Sequence, residues 1–195
     1  MCFSAEASFI AFIPLIFALQ QFTEGWLWVV LESGEMPLAQ FWLANLYGVF
    51  IGVIWPFYAP FAIYKGEVDG KARKVVTSMI LVGLGLAVYT IIGLLGEPIV
   101  AHIVNDSIRY VHNVEGQQFV LTMYLFATCV PFILSSDRYL YITGVVINFG
   151  FFVAFFAYRE TFASVWCFFA AISSAMIYFY VVSGKSSKLA LKGCS

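Results

Sequence analysis

A chain of 195 residues that is 62% hydrophobic and only 11% charged has too few polar side chains to cover a water-facing surface. Its mean hydropathy of +0.91 excludes an ordinary soluble domain, and its net charge of −1, with no basic patch, excludes nucleic acid as a partner. The composition predicts an integral membrane protein whose main partner is the lipid bilayer, with residues 1–195 forming a single membrane domain.

Six apolar segments are long enough, or nearly long enough, to cross a bilayer, because about 20 helical residues span its hydrocarbon core. Polar loops with glycine or proline separate the first three segments, and the short "SSDR" and "YRET" connections make the last three antiparallel neighbours. The predicted fold is an all-α polytopic transmembrane bundle with six spans at about 10–31, 40–64, 75–96, 118–135, 139–157 and 162–183.

Polar side chains interrupt the first span within "FALQQFTEGWLWVV" (residues 17–30). Gln20 and Glu24 are one helical turn apart and share a face, with Gln21 beside them and Trp28 one turn further on. An ionised carboxylate at this depth would cost a few kcal/mol, so this face must meet other helices or water. The predicted ligand-binding residues are Gln20, Gln21, Glu24, Trp28 and, in the second span, Asn45.

Glu24 is predicted to face the bundle interior and to be protonated at neutral pH, because no Lys or Arg lies within any predicted span. A neutral carboxyl group keeps a donor and an acceptor for its neighbours. We expect it to hydrogen-bond to Asn45 or to a tyrosine on a neighbouring helix.

The loop 97–117 predicts a short amphipathic helix at about 98–112. Pro98 follows Gly96–Glu97, which is typical of a helix that stops and restarts. Apolar residues then recur at helical spacing, which leaves His102, Asp106 and Arg109 on the opposite face. We expect this helix to lie along the membrane surface.

The ten Lys and Arg residues orient the predicted spans. Eight of them fall in the loops 65–74 and 135–138 or in the C-terminal tail, and only Arg109 and Arg159 fall on the other side. Because basic residues concentrate on the cytoplasmic side of a membrane protein, both termini are predicted to be cytoplasmic and the loop 97–117 to face outward.

Three functions are compatible with these features, and no cofactor is predicted. The favoured one is a non-enzymatic module that binds a small ligand, an ion or a proton in an outward-facing pocket around Glu24. The second is a metal-dependent membrane hydrolase using Glu24, His102, Asp106 and His112, since a four-residue spacing on a helix suits two ligands. Against it, Arg109 would pair with Asp106 and His112 would point to another side. The third is a structural subunit whose phenylalanine-rich helices pack against other membrane subunits or pigments.

The opening Met1-Cys2-Phe3-Ser4-Ala5, the stretch "FALQQFTEG" and the later "WPFYAP" (55–60) resemble a known family. It consists of small bacterial multi-pass membrane proteins of uncharacterised function that begin with M-C-F-S-A, and the resemblance covers most of the chain. It implies a fold but no activity. We expect the protein to lie in a bacterial inner membrane. The family pattern places a further helix and a basic loop after the opening, whereas here Phe9 runs straight into Ile10.

Overall fold

The computed structural model describes residues 5–112 and 116–183, without the side chains of residues 5–8 and 117. Its helices are α1 (Ala5–Ser33), α2 (Pro37–Val49), α3 (Trp55–Gly66), α4 (Gly70–Gly96), α5 (Gln117–Thr128), α6 (Val130–Ile133), α7 (Arg138–Ala157) and α8 (Phe162–Val182). A π-helical turn (Phe50–Ile54) joins α2 to α3, a 3-10 turn (Arg159–Thr161) precedes α8, and two short strands, β1 (Val100–Val104) and β2 (Ser107–Val111), separate α4 from α5.

The predicted all-α transmembrane bundle is confirmed. In the described part of the chain, five helical stretches are long and apolar enough to cross a membrane: Phe9–Ser33, Pro37–Gly66, Gly70–Gly96, Arg138–Ala157 and Arg159–Val182. The predicted span 118–135 is the shorter apolar helix Gln118–Ile133, divided at Cys129 into α5 and α6. The division has a local cause, because Pro131 has no N–H to donate to the carbonyl of Ala127.

The second span contains a π-helical turn just before Pro56. Proline cannot donate to the carbonyl group four residues earlier, here that of Gly52, so the regular hydrogen-bond pattern is interrupted. The backbone N–H of Trp55 instead bonds to the carbonyl of Phe50, five residues earlier, as in a π-helix. Tyr47 and Trp55, which flank this turn, both contact the candidate site described below.

Small residues let the helices approach closely. A Cβ at Gly83 in α4 would clash with the carbonyl of Pro56 in α3, and one at Gly52 would clash with the Thr90 side chain in α4. The backbones of α3 and α4 are therefore in contact, as glycine allows in membrane bundles. Gly52 and Gly83 therefore serve helix packing.

The predicted amphipathic helix at 98–112 is wrong, because β1 and β2 form an antiparallel hairpin with Val100 opposite Val111 and Val104 opposite Ser107. The turn is Asn105–Asp106, with φ of 48° and 53°, and positive φ at both residues is what a two-residue type I′ hairpin loop requires. Asn and Asp tolerate this conformation better than other non-glycine residues. The β-branched residues on either side of the turn favour strands.

The hairpin closes one end of the bundle, which we call the hairpin end. Its inner face buries Ala101 and Ile108 against Leu27 of α1 and Ala44 of α2, and β2 also contacts α8 and the 3-10 turn before it. The hairpin therefore packs into the bundle, instead of lying along a membrane surface as predicted.

Hydrogen bonds tie two loops together at the opposite end, which we call the basic end. The buried Glu67 carboxylate accepts from the hydroxyl of Ser136 at 2.6 Å and from its backbone N–H at 2.9 Å. Asp137 caps α7 by accepting from the N–H of Tyr139 at 2.7 Å, and it also accepts from the Tyr180 hydroxyl of α8 at 2.6 Å. These bonds hold the loop before α4 and the loop before α7 against α8.

Candidate functional site

Glu24 lies buried inside the bundle, with 9% of its surface exposed. Gln21 donates from Nε2 to Oε2 at 3.2 Å, and the Tyr110 hydroxyl of the hairpin donates to Oε1 at 3.4 Å. Ser164 of α8 and Tyr47 of α2 lie close to this carboxyl group. The carboxyl group therefore joins the hairpin to α1.

Gln20, one turn earlier, anchors a second set of bonds. Its Nε2 donates to Sγ of Cys167 at 3.1 Å, and its Oε1 accepts from Nε1 of Trp55. The Cys167 sulfur also bonds to the hydroxyl of Tyr47 at 3.0 Å. Tyr47 is fully buried and stacks on Tyr110, with 4.4 Å between ring centroids and 9° between the planes. The two sets of bonds form one polar network, which we call the Glu24 network.

Tyr110 is the member of the Glu24 network that belongs to the hairpin. Burial, with a further contribution from the neighbouring Glu24 carboxyl group, raises the pKa of the Tyr110 phenol well above its ordinary value. Tyr110 is therefore a neutral hydrogen-bond donor at physiological pH.

Asn45 does not contact Glu24, so this predicted pairing is wrong. Its Oδ1 accepts from the backbone N–H of Ile99 at 2.9 Å, and its Nδ2 donates to the Ile99 carbonyl at 3.3 Å. Ile99 directly precedes the hairpin, where its peptide groups have no strand partner. Asn45 therefore anchors the base of the hairpin, and the tyrosine that bonds to Glu24 is Tyr110, on a strand rather than on a helix.

Of the predicted ligand-binding residues, Trp28 lies apart from the Glu24 network and packs against the apolar cluster beneath the hairpin. Four members of the network were not singled out as site residues in the sequence: Tyr47, Trp55, Tyr110 and Cys167. Tyr47, Trp55 and Cys167 sit in apolar stretches, where composition alone does not distinguish a side chain that forms a hydrogen bond from one that only packs, and Tyr110 sits in the loop that was predicted to be a surface helix. The one local signal in the sequence was Pro56, which induces the π-helical turn beside Trp55.

The structure does not bring together the four residues of the metal hypothesis: Glu24, His102, Asp106 and His112. His102 is exposed and pairs across the hairpin with Arg109, while Asp106 is exposed in the turn, so they do not share a helical face. Arg109 lies 3.6 Å from Glu160 and forms its ion pair there, not with Asp106 as predicted. Within residues 5–112 and 116–183, no group of three or more His, Cys, Asp and Glu side chains could hold a metal ion.

A cavity of about 260 Å³ lies beneath the hairpin, between α2, α4, α5 and α8. Glu24 does not line it, but Tyr47 and Tyr110 belong to both its wall and the Glu24 network. The remaining aromatic wall residues are Tyr124, Phe162 and Trp166. The pocket predicted around Glu24 therefore lies one layer of tyrosines away from the carboxyl group.

Two buried polar atoms in this wall have no hydrogen-bond partner among the described residues: the Tyr124 hydroxyl and Nδ1 of His112. Only 7% of the surface of Tyr124 is exposed, and an unpaired buried hydroxyl costs about 1–3 kcal/mol. The His112 ring packs against Gly93 of α4, where a Cβ would lie 3.1 Å from Nε2. Both atoms are covered by protein, so an occupant of the cavity would reach them only if the two side chains turned toward it.

A smaller cavity of about 50 Å³ lies deeper in the bundle, and Gln20, Trp55, Tyr124 and Cys167 are part of its wall. It has room only for a solute about the size of a few water molecules, because one water occupies about 30 Å³ of liquid. The larger cavity is therefore the candidate ligand site.

Comparisons with curated proteins and with solved structures find no match for this chain. The membership of an uncharacterised family that the sequence predicted is confirmed. The family of unknown function DUF6629 matches residues 3–192, so the chain belongs to that family.

Proposed function

We propose that the protein is a non-enzymatic, membrane-embedded module that binds a small uncharged ligand in the cavity beneath the hairpin. The observation that carries this proposal is the unpaired Tyr124 hydroxyl, buried in an aromatic wall with the unpaired Nδ1 of His112. Ligand sites are mostly apolar concavities with a few polar groups that orient the ligand. A volume of about 260 Å³ is just below the usual range for ligand pockets, which favours a ligand with a single ring.

The cavity wall determines the chemistry of this ligand. The described wall residues include no Lys, Arg, Asp or Glu, so a charged ligand would lose its hydration without gaining a partner. Turned toward the cavity, the Tyr124 hydroxyl can donate to a carbonyl or ether oxygen, and Tyr110, Phe162 and Trp166 contribute aromatic surface to the wall. We therefore infer a flat, uncharged ring with at least one hydrogen-bond acceptor.

Glu24 acts as a positioning residue in this proposal. Its carboxyl group accepts a hydrogen bond from Tyr110, which stacks on Tyr47, and both side chains belong to the wall of the cavity. Glu24 itself remains out of contact with the ligand.

Tyr124→Phe tests the proposal because it separates binding from folding. Removing an unpaired buried hydroxyl should leave the stability of the ligand-free protein unchanged or raise it by up to about 1 kcal/mol. The same change should weaken binding of duroquinone, a flat ring with two carbonyl acceptors, about fivefold. The measurement is the melting temperature of detergent-solubilised protein as duroquinone is titrated.

Durene, the same methylated ring without oxygen atoms, is the matched ligand, and Tyr178→Phe, at an exposed tyrosine of α8, is the matched variant. Durene should bind the wild type and Tyr124→Phe equally, and Tyr178→Phe should bind duroquinone as the wild type does. If Tyr124→Phe unfolds more easily than the wild type, or if it binds duroquinone unchanged, the proposal is wrong.

We also propose that the protein is integral to a bacterial inner membrane with both termini in the cytoplasm. Support comes from the described basic residues of the helix ends: Lys65, Lys71, Arg73, Lys74 and Arg138 at the basic end, against Arg109 and Arg159 at the hairpin end. Positive charge favours the cytoplasmic side.

Cysteine labelling tests this orientation. We expect a membrane-impermeant maleimide to label His102→Cys, on the exposed side of the hairpin, in intact cells. Gly70→Cys, at the exposed start of α4, should react only after permeabilisation. Cys2 and Cys194 are replaced by serine, whereas Cys129 and Cys167 are buried and can stay. The reverse labelling pattern would overturn the orientation.

A further inference from the structure

A groove runs along the surface of the bundle between α5 and α7. It consists of two adjoining hollows of about 310 Å³ and 260 Å³, which share Gln118, Leu121 and Phe155. Leu121 and Phe162 also line the cavity beneath the hairpin, so they form the partition between the groove and that cavity. The groove is therefore a separate site on the outside of the bundle.

The floor of the groove is built from phenylalanine. Its members on α7 are Phe151, Phe152, Phe155 and Phe156. From Phe151 to the end of α7 at Ala157 the chain covers about 9 Å of helix, and Arg159 follows at the rim in the 3-10 turn. Phe152 and Phe156 are exposed on an apolar helix that is long enough to cross a membrane, so the floor faces lipid chains.

The rim of the groove at the hairpin end carries a positive charge. The Arg159 guanidinium group lies 5.4 Å from the ring centroid of Phe155, and this cation–π contact holds it over the groove. The adjacent carboxylate, Glu160, is paired with Arg109 and so does not neutralise Arg159. The amide group of Gln118 lies on the same rim.

We propose that this groove binds an anionic phospholipid, with one acyl chain over the phenylalanine floor and the phosphate group at Arg159 and Gln118. A guanidinium group can donate two parallel hydrogen bonds to a phosphate. Arg159 follows the end of α7, and this is the level at which lipid phosphates lie when α7 spans the bilayer. Charge complementarity therefore selects an anionic headgroup, and the apolar floor selects a lipid over free phosphate.

Native mass spectrometry of the intact protein in detergent tests this site, with phosphatidylglycerol as the anionic probe. Arg159→Gln should reduce the fraction of protein that retains phosphatidylglycerol about fivefold, the effect of one cation near an anionic lipid. Thr122→Trp, which places a large side chain on an exposed lining position, should reduce retention with Arg159 intact. Arg138→Gln makes the same charge change at the opposite end of α7 and should have no effect.

Two further probes identify the recognised chemistry. Phosphatidylcholine, which is neutral overall, should be retained equally weakly by the wild type and Arg159→Gln, and millimolar inorganic phosphate should not displace phosphatidylglycerol. The proposal is overturned if Arg159→Gln and Thr122→Trp both retain phosphatidylglycerol as the wild type does. Equal retention of both lipids by the wild type, or displacement by phosphate, would also overturn it. None of these results depends on duroquinone binding, so this site and the cavity can fail independently.

Discussion

Gly83→Ala is expected to lower the free energy of unfolding by about 3 kcal/mol, the upper part of the range for overpacking a close contact. A Cβ at this position would clash with the backbone carbonyl of Pro56, which cannot rotate away as a side chain could. Accommodating one methyl group requires α4 to move away from α3. That movement would also disturb the contact between Gly52 and Thr90 along the same interface.

Gly85→Ala on the same helix is the matched control, because a Cβ there meets nothing within 4 Å. Alanine is a better helix former than glycine, so this variant should be unchanged or up to about 1 kcal/mol more stable. Both variants are compared by reversible unfolding in mixed detergent micelles. Equal stability of the two variants would show that α3 and α4 are not in backbone contact at Gly83.

Glu24→Leu is expected to destabilise the protein by about 2 kcal/mol, because it leaves buried donors without an acceptor. The donors are the Tyr110 hydroxyl and Nε2 of Gln21. Glu24→Gln should stay within about 1 kcal/mol of the wild type, since individual hydrogen bonds in membrane bundles contribute on the order of 0.6 kcal/mol. The difference between the two variants isolates hydrogen bonding from side-chain size and charge.

The control for Glu24→Leu is Glu32→Leu, the same substitution at an exposed position of α1, which should leave stability unchanged. Infrared spectroscopy adds a test of the protonation state predicted from the sequence. A protonated Glu24 gives a carboxyl C=O band at pH 7 that disappears in Glu24→Gln. A Glu24→Leu protein as stable as Glu24→Gln would contradict the role of the network, and the absence of the band would contradict the protonated carboxyl group.

The features that depend on the spacing of nearby residues along the chain were predicted correctly from the sequence. The lengths of the apolar stretches predict the long helices, because a bilayer-sized helix requires a continuous run of apolar residues. The Gln20–Glu24 spacing places both side chains on the buried face of α1, because residues four apart lie on one side of a helix.

The hairpin shows where local spacing misleads. Between Ile99 and Ile108, apolar residues satisfy the period of a helix and also occupy both faces of two short strands. The evidence that separates the two patterns was present in the β-branched residues around Asn105–Asp106. The predicted helix would place His102 and Asp106 on one face, and the metal hypothesis depended on that placement. In the hairpin the two residues do not share a face in this way.

The sequence by itself determined that this protein is a helical membrane bundle and that Glu24 and Gln20 lie on a buried face. It did so because composition and helical period are properties of neighbouring residues. Only the tertiary structure decided what these side chains meet. Gln20 bonds to Cys167, 147 positions away, and Glu24 bonds to Tyr110, 86 positions away, across a hairpin that folds into the end of the bundle. Such pairings depend on how the helices pack around one another, and no spacing within a single helix encodes that arrangement.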